Sequence, residues 1–203
     1  MCLKTVGVLL LFVLSSCYVP QDFQEPRAYK IDTRNRWDPE CTPITLVVSS
    51  EFDSRAYELV QLAAEYWNSL LGEQVLYSYL STESSPVFAQ GLLTDSTVAR
   101  CGLVYVYPVE SFGSKLDRVG ATRLTVNSAS PWLVETGEVQ ISRHLFFDDA
   151  RFIVIAHELG HVLGILQHNN EDNTDLMSPS IGDSTLAVTA QELDTARHFS
   201  LSH

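Results

Sequence analysis

Apolar residues recur every three or four positions between residues 53 and 71, which is the spacing of one face of an α-helix. Asp53 or Ser54 can cap the start of this helix, and Gly72 follows its last apolar residue as a stop signal. The pattern therefore predicts a long helix that packs one face against the core. Its apolar positions are Ala56, Leu59, Val60, Ala63, Trp67, Leu70 and Leu71.

Shorter runs rich in β-branched and aromatic residues predict strands at residues 44–49, 74–80, 102–108, 119–126 and 138–142. The run GLVYVYP, 102–108, is apolar enough to be a central strand. A polar stretch at 81–96 predicts a loop, and residues 189–199 predict a last helix. Aromatic residues at strand or helix spacings are expected in the core: Tyr105, Tyr107, Phe146, Phe147 and Phe152.

The run HELGHVLGILQH, residues 157–168, contains the residues that predict a catalytic metal site. On a helix, His157 and His161 lie on one face a turn apart and can aim both imidazoles at a single metal ion. Zn²⁺ suits two imidazoles plus a third protein ligand and leaves one position for water. Glu158 lies close enough to take a proton from that water as general base. The upstream run RFIVIA is apolar, so we expect this helix to be buried, and Gly164 is a natural terminator.

HELGHVLG resembles the metzincin zinc-protease consensus H-E-x-x-H-x-x-G-x-x-H, and most closely its matrixin branch. DLMSPS, residues 175–180, resembles the methionine turn beneath the metal in that family, with Met177 as the methionine. The resemblance implies an α+β domain: a mixed twisted sheet with a long first helix, an active-site helix and a C-terminal helix. It is specific from about residue 152 to 179.

The third ligand departs from the consensus by one residue. The consensus histidine position holds Gln167, a poor neutral zinc ligand, and the histidine follows as His168. A bulge in the turn after the helix would bring His168 to the metal, and this is the favoured arrangement. The alternatives are a site with two good ligands, or a distant carboxylate from Glu192. Glu192 also fits a capping box that starts at Thr189, which makes it a helix-start residue.

The N-terminus has the layout of an export signal, with Lys4 followed by an apolar run at 6–14 that is too short to span a bilayer. LSSC, ending at Cys17, resembles the lipobox of bacterial lipoproteins, in which the cysteine carries the lipid. The alternative is an ordinary signal with a chance cysteine. Tyr18 is not the aspartate associated with inner-membrane retention, so the resemblance favours the outer membrane, facing the periplasm or the surface.

These features divide the chain into a signal peptide at 1–16, a lipidated cysteine with a flexible tether at 17–40, and a metzincin-like domain at 41–203. If Cys17 is lipidated and Cys2 is removed with the signal peptide, a disulfide between Cys41 and Cys101 is the simplest fate of the two remaining cysteines in an oxidising compartment.

The net charge of the chain limits the classes of partner that it can bind. The net charge of −12 argues against nucleic-acid binding, because phosphate contacts require a basic face. Acidic residues near the motif suggest a structural Ca²⁺, although their spacing matches no defined calcium loop; they are Asp148, Asp149, Asp172 and Asp175.

The sequence thus predicts a zinc-dependent endopeptidase that acts on protein or peptide substrates from a lipid anchor in a bacterial membrane. Its metal ligands are expected to be His157, His161 and His168, and its general base Glu158. The alternative is a catalytically degenerate lipoprotein of the same fold that binds protein partners. The shift at Gln167 favours that alternative, whereas the presence of Glu158 argues against it.

Overall fold

The computed structural model describes residues 35–81, 101–112, 118–126, 130, 132–145, 147–166, 168, 175–178 and 186–201. Within these residues, a sheet is combined with helices that follow strands in chain order. The strands are β1 Arg36–Trp37, β2 Ile44–Val48, β3 Leu76–Leu80, β4 Leu103–Val109, β5 Gly120–Val126 and β6 Leu133–Ser142. The helices are α1 Ser54–Leu71, α2 Asp148–Val162 and α3 Ala190–Leu201.

The sheet is mixed. Its described strands follow the order β1-β6-β4-β2-β3 with parallel pairing, and β5 pairs antiparallel with β6. Strand β4 lies in the middle, as its apolar run predicts. One face of the sheet is buried, as the alternation in β2 illustrates: Ile44, Leu46 and Val48 are buried while the residues between them are partly exposed. The expected α+β fold with a mixed sheet and three helices is confirmed.

Helix α1 forms where the apolar spacing predicts it. Asp53 caps its start, with the carboxylate accepting a hydrogen bond from the Ala56 amide at 2.6 Å. Gly72 ends the helix at φ 76°, a left-handed conformation that glycine adopts without a steric penalty. Trp67, on the buried face, donates its indole N–H to the Ala156 carbonyl of α2 at 2.8 Å. The first helix is thereby joined to the helix that carries the histidine motif.

Residues 36–41 belong to the fold, although the sequence placed the tether as far as residue 40. Strand β1 pairs with β6, and Trp37 is only 1% exposed. Its indole N–H donates to the Val162 carbonyl at 2.9 Å, which satisfies a backbone acceptor at the end of α2. Cys41 forms a disulfide with Cys101. A strand of two residues has no readable periodicity, so the sequence pattern could not reveal it.

Two other expectations need correction. Strand β6 begins at Leu133, five residues before the predicted start at 138. Phe147 does not lie in the core: it precedes α2 and is 79% exposed. Tyr105 is buried and Phe152 packs against the core as expected, whereas Phe146 lies outside the described residues. In the part of the chain described, we find no helix with the length and apolar character needed to cross a membrane.

Candidate metal centre and general base

Helix α2 and the turn after it supply the histidines. His157 and His161 lie one turn apart on α2, which ends at Val162. Gly164 then adopts φ 87°, and a Cβ at this position would lie 2.3 Å from the Phe199 ring of α3. This left-handed conformation ends the helix and turns the chain back toward the metal-binding face, and the Phe199 ring leaves room only for glycine. His168 follows this turn.

The three imidazoles converge. Ring centroids are 4.7 Å apart for His157 and His161, and 5.2 Å from each of these to His168. One ligand nitrogen from each ring lies within 4.8 Å of the other two. The structure thus brings together all three histidines that the sequence singled out, despite the shift of one residue. Gln167 lies outside the described residues.

Glu192, the distant alternative ligand, is used elsewhere. Its carboxylate Oε2 accepts from the Thr189 amide at 2.7 Å, and its own amide donates to the Thr189 hydroxyl at 3.2 Å. These reciprocal bonds form the capping box that the sequence predicts at the start of α3. Among the described residues, Glu192 is not part of the histidine group.

Backbone carbonyls fix the tautomer of both helix histidines. His157 Nδ1 lies 2.8 Å from the Leu176 carbonyl oxygen, and His161 Nδ1 lies 2.5 Å from the Ile165 carbonyl oxygen. A carbonyl oxygen can only accept, so each Nδ1 carries the proton and donates it. Each Nε2 then keeps its lone pair, which is the state a metal requires.

Burial keeps these imidazoles neutral. Burial and, to a smaller extent, the neighbouring His161 lower the pKa of His157 to about 4, while Glu158 acts in the opposite direction. Burial likewise lowers the pKa of His161 to about 4, against the raising effect of its bond to Ile165. Protons therefore do not compete for these ligand atoms at neutral pH.

Met177 lies beneath the histidine helix. It is fully buried, and a Cβ added at Gly160 would lie 2.4 Å from the Met177 sulfur and 3.0 Å from Trp67 Cζ2. The absence of a side chain at Gly160 thus lets Met177 pack directly against the helix backbone. The preceding residue, Leu176, provides the carbonyl for His157. The loop that carries Met177 therefore packs against α2 and orients one of its histidines.

Glu158 is 5% exposed and lies beside the histidines, close enough for electrostatic interaction with His157. Thr122 of β5 donates a hydrogen bond from Oγ1 to Glu158 Oε2 at 2.6 Å. Burial raises the pKa of Glu158 above its ordinary value, while His157, the Thr122 bond and Arg118 oppose the rise. A carboxyl group whose pKa is moved toward neutrality is well suited to accept and release a proton.

Thr122 and Gly120 are the neighbours of Glu158 that sequence reasoning missed. Thr122 is 36 residues from Glu158 in sequence. A threonine in an ordinary strand carries no motif that would link it to a distant glutamate. Only the packing of β5 on α2 reveals the contact.

The expected calcium site has no support. The Asp148 carboxylate bonds to Arg55 at 2.8 Å, and Asp172 lies outside the described residues. The groups that could hold a metal in the described part of the chain are the histidines and Asp38 with the two disulfide cysteines. Cysteine sulfurs joined in a disulfide are not thiolate ligands, so the histidine group is the better metal site.

Three imidazoles are a ligand set that fits Zn²⁺, which prefers nitrogen and sulfur donors and takes three protein ligands in catalytic sites. The carbonyl bonds to Nδ1 strengthen this match, because histidine ligands of zinc usually donate their other ring N–H to such a partner. The residues present therefore suit a zinc ion.

Comparison with solved structures identifies the fold. The chain is similar to archaemetzincin from Methanopyrus kandleri, with a TM-score of 0.53 and 16% identity over 82% of this chain and 99% of that chain. It also matches metalloproteinase-II from Bacteroides fragilis, with a TM-score of 0.47 and 14% identity over 80% of this chain and 55% of that chain. No protein-family model and no curated protein sequence matches it. The sheet, the helices and the likeness to archaemetzincin show that this chain has a metzincin-like fold.

Proposed function

We propose that this protein is a zinc-dependent endopeptidase in which His157, His161 and His168 hold Zn²⁺ and Glu158 is the general base. The observation that carries the proposal is the convergence of three imidazoles beside a buried glutamate. Two of these imidazoles present Nε2 because backbone carbonyls occupy Nδ1. The likeness to archaemetzincin is consistent with it. The matrixin branch stays a prediction.

A zinc ion bound by these residues would supply Lewis-acid chemistry, polarising a substrate carbonyl and lowering the pKa of a water molecule. The protein contributes the arrangement around it. The imidazoles are held neutral by burial, and their ring orientations are set by the carbonyls of Leu176 and Ile165. Met177 packs under the helix that carries two of the ligands.

The Glu158 carboxylate accepts a proton from the attacking water and later passes it to the leaving amine of the peptide. Its burial supports this role, because it weakens the solvation of the carboxylate and raises its proton affinity. The bond from Thr122 keeps one carboxylate oxygen in a fixed place during both transfers.

The same features favour the enzyme over the degenerate binding protein. A buried carboxylate lowers the stability of the fold unless it is paired, and a protein that only binds partners has no need for it. The shift at Gln167, which favours the binding protein, does not keep His168 away from the other histidines.

Export and membrane anchoring complete the proposal. The disulfide between Cys41 and Cys101 supports an oxidising compartment, since disulfides are rare in the cytosol. Cys17, the proposed lipidation site, lies outside the described residues, as do the signal peptide and most of the tether. The proposed substrates are proteins or peptides that meet the domain outside the cytoplasm.

The test uses the protein with measured zinc content and a peptide library. Glu158→Gln removes the base and keeps the shape, so we expect full zinc occupancy and no cleavage. Glu65→Gln, on the exposed face of α1, is the matched control and should cleave at the wild-type rate. Cleavage by Glu158→Gln at that rate would exclude the proposed mechanism. A zinc-loaded wild type that cleaves nothing would favour the binding protein.

A further inference from the structure

One face of β5 lies against Glu158, the proposed general base. Gly120 and Thr122 are two residues apart, so both point to the same side of the strand. Their partners across the antiparallel pair with β6 are Ile141 and Val139, which are both buried in the core. This face of β5 therefore looks toward α2, and Glu158 is the α2 residue that it meets.

Thr122 makes a specific contact. Its Oγ1 lies 2.6 Å from Glu158 Oε2 and 3.0 Å from the backbone carbonyl oxygen of the same residue. A hydroxyl has one proton to donate, and the shorter distance assigns it to the carboxylate, where the bond is charge-assisted. The β-branched side chain has few rotamers, so the hydroxyl itself is held in place.

Gly120 encloses the other side of the carboxylate. A Cβ added at Gly120 would lie 2.4 Å from Glu158 Oε1 and 2.9 Å from Cδ and Cγ. Any side chain at this position would displace the carboxylate. One strand thus provides a donor for Oε2 and the space for Oε1.

We propose that Thr122 is a positioning residue for Glu158, with Gly120 providing the space that lets the carboxylate adopt this orientation. The inference deepens the proposed function and rests on it for the kinetic readout alone. Strand β5, which the motif does not include, then sets the direction in which the general base accepts its proton.

The chain offers a matched set of variants. Thr122→Val removes the hydroxyl with little change of shape, and Thr122→Ser keeps a hydroxyl. Thr125→Val makes the same chemical change three residues along β5, at an exposed position on the opposite face. Gly120→Ala disturbs the other oxygen without removing the donor.

We expect Thr122→Val to lower kcat about 10- to 100-fold with little change in KM or zinc content, by analogy with the loss of a hydrogen-bond partner of a metal ligand. Thr122→Ser should recover most of the rate, and Thr125→Val should match the wild type. Gly120→Ala should lower kcat similarly. A purely structural role for Thr122 would lower Tm and leave kcat unchanged, and that outcome would overturn the proposal.

Crystal structures of the wild type, Thr122→Val and Thr122→Ser provide a readout that does not depend on activity. The Glu158 carboxylate should move in Thr122→Val and keep its place in Thr122→Ser. An identical carboxylate position in all three would refute the positioning role. If the wild type cleaves no peptide while the carboxylate moves as expected, the proposed enzyme function fails and the positioning role stands.

Discussion

Replacing Gly160 by alanine tests the packing of the histidine helix most sharply. The added methyl group would lie 2.4 Å from the Met177 sulfur, with Trp67 Cζ2 at 3.0 Å. Met177 and Trp67 are both fully buried, so neither can move aside freely. Since Gly160 lies between His157 and His161, the strain acts directly on the metal-binding turn.

The expected change in the free energy of unfolding for Gly160→Ala is the sum of two opposing effects. Overpacking a closed core costs about 1–3 kcal/mol. Alanine in a helix interior is more favourable than glycine by about 1 kcal/mol. Because Met177 and Trp67 confine the methyl group, we expect a net loss of about 1–2 kcal/mol in the free energy of unfolding.

Met177→Ala provides the matched background. Truncating a buried methionine costs about 2–5 kcal/mol by itself, and it removes the sulfur that the new methyl group would meet. In that background Gly160→Ala should be neutral or stabilising by up to about 1 kcal/mol. The expected coupling between the two positions is therefore about 2 kcal/mol.

The assay is urea unfolding of the four proteins with a metal chelator present and the disulfide intact, followed by tryptophan fluorescence. Equal slopes with denaturant would confirm that the variants unfold between comparable states. The reasoning is refuted if Gly160→Ala costs the same in both backgrounds, since the contact with Met177 would then not be the cause.

Further predictions concern the N-terminal strand, the disulfide and the histidines. Trp37→Phe should lower the free energy of unfolding by about 1–3 kcal/mol, because it leaves the carbonyl at the end of α2 buried without a donor; an unchanged urea midpoint would contradict this. Replacing Cys41 and Cys101 by serine opens a loop with a sequence separation of 60 residues. This should lower stability by about 4 kcal/mol on the chain-entropy account, and a loss below about 1 kcal/mol would argue against it. In metal-free protein, the pKa values of about 4 for His157 and His161 lie below the ordinary 6.5, so the unfolded chain takes up protons first. Stability should therefore be complete above about pH 6.5 and fall as the pH is lowered toward 4. Replacing both histidines by glutamine should reduce this decline, and an unchanged pH profile of urea unfolding would show that other groups cause it.

Local patterns predicted the elements whose chemistry is local. The spacing of apolar residues, an aspartate cap and a terminal glycine gave the bounds of α1 to within one residue at its start. The capping box at Thr189 gave the start of α3 for the same reason. The H-E-x-x-H spacing predicted which side chains meet on α2, because helix geometry alone decides that.

Contacts between distant segments were beyond these patterns. Trp37 lies in a strand of two residues and is held by a carbonyl 125 residues away in sequence. Phe147 has the aromatic character of a core residue, yet it lies at the exposed start of α2, where the chain enters the helix. Thr122 has its role only because β5 packs against Glu158. In each case the position or contact of the residue depends on tertiary packing, which the local sequence pattern does not reveal.

The position of His168 depends both on a local sequence pattern and on a contact between distant segments. The sequence identified it as the nearest histidine after the glycine turn but left a displacement of one residue to explain. The left-handed turn at Gly164, fixed by the Phe199 ring, brings the chain back far enough for His168 to reach the other imidazoles. Gly164 predicted the position of this turn, but the Phe199 ring comes from α3, so local sequence could not reveal the contact that leaves no room for a side chain there.

Zinc stoichiometry tests the central claim most directly. The wild type, His168→Ala and His144→Ala would be purified with the same zinc supply and measured by elemental analysis; His144 is an exposed histidine outside the described metal group. We expect one tightly bound zinc per chain in the wild type and in His144→Ala, and its loss in His168→Ala. Equal zinc in His168→Ala and the wild type, or none in any of the three proteins, would contradict the three-histidine site.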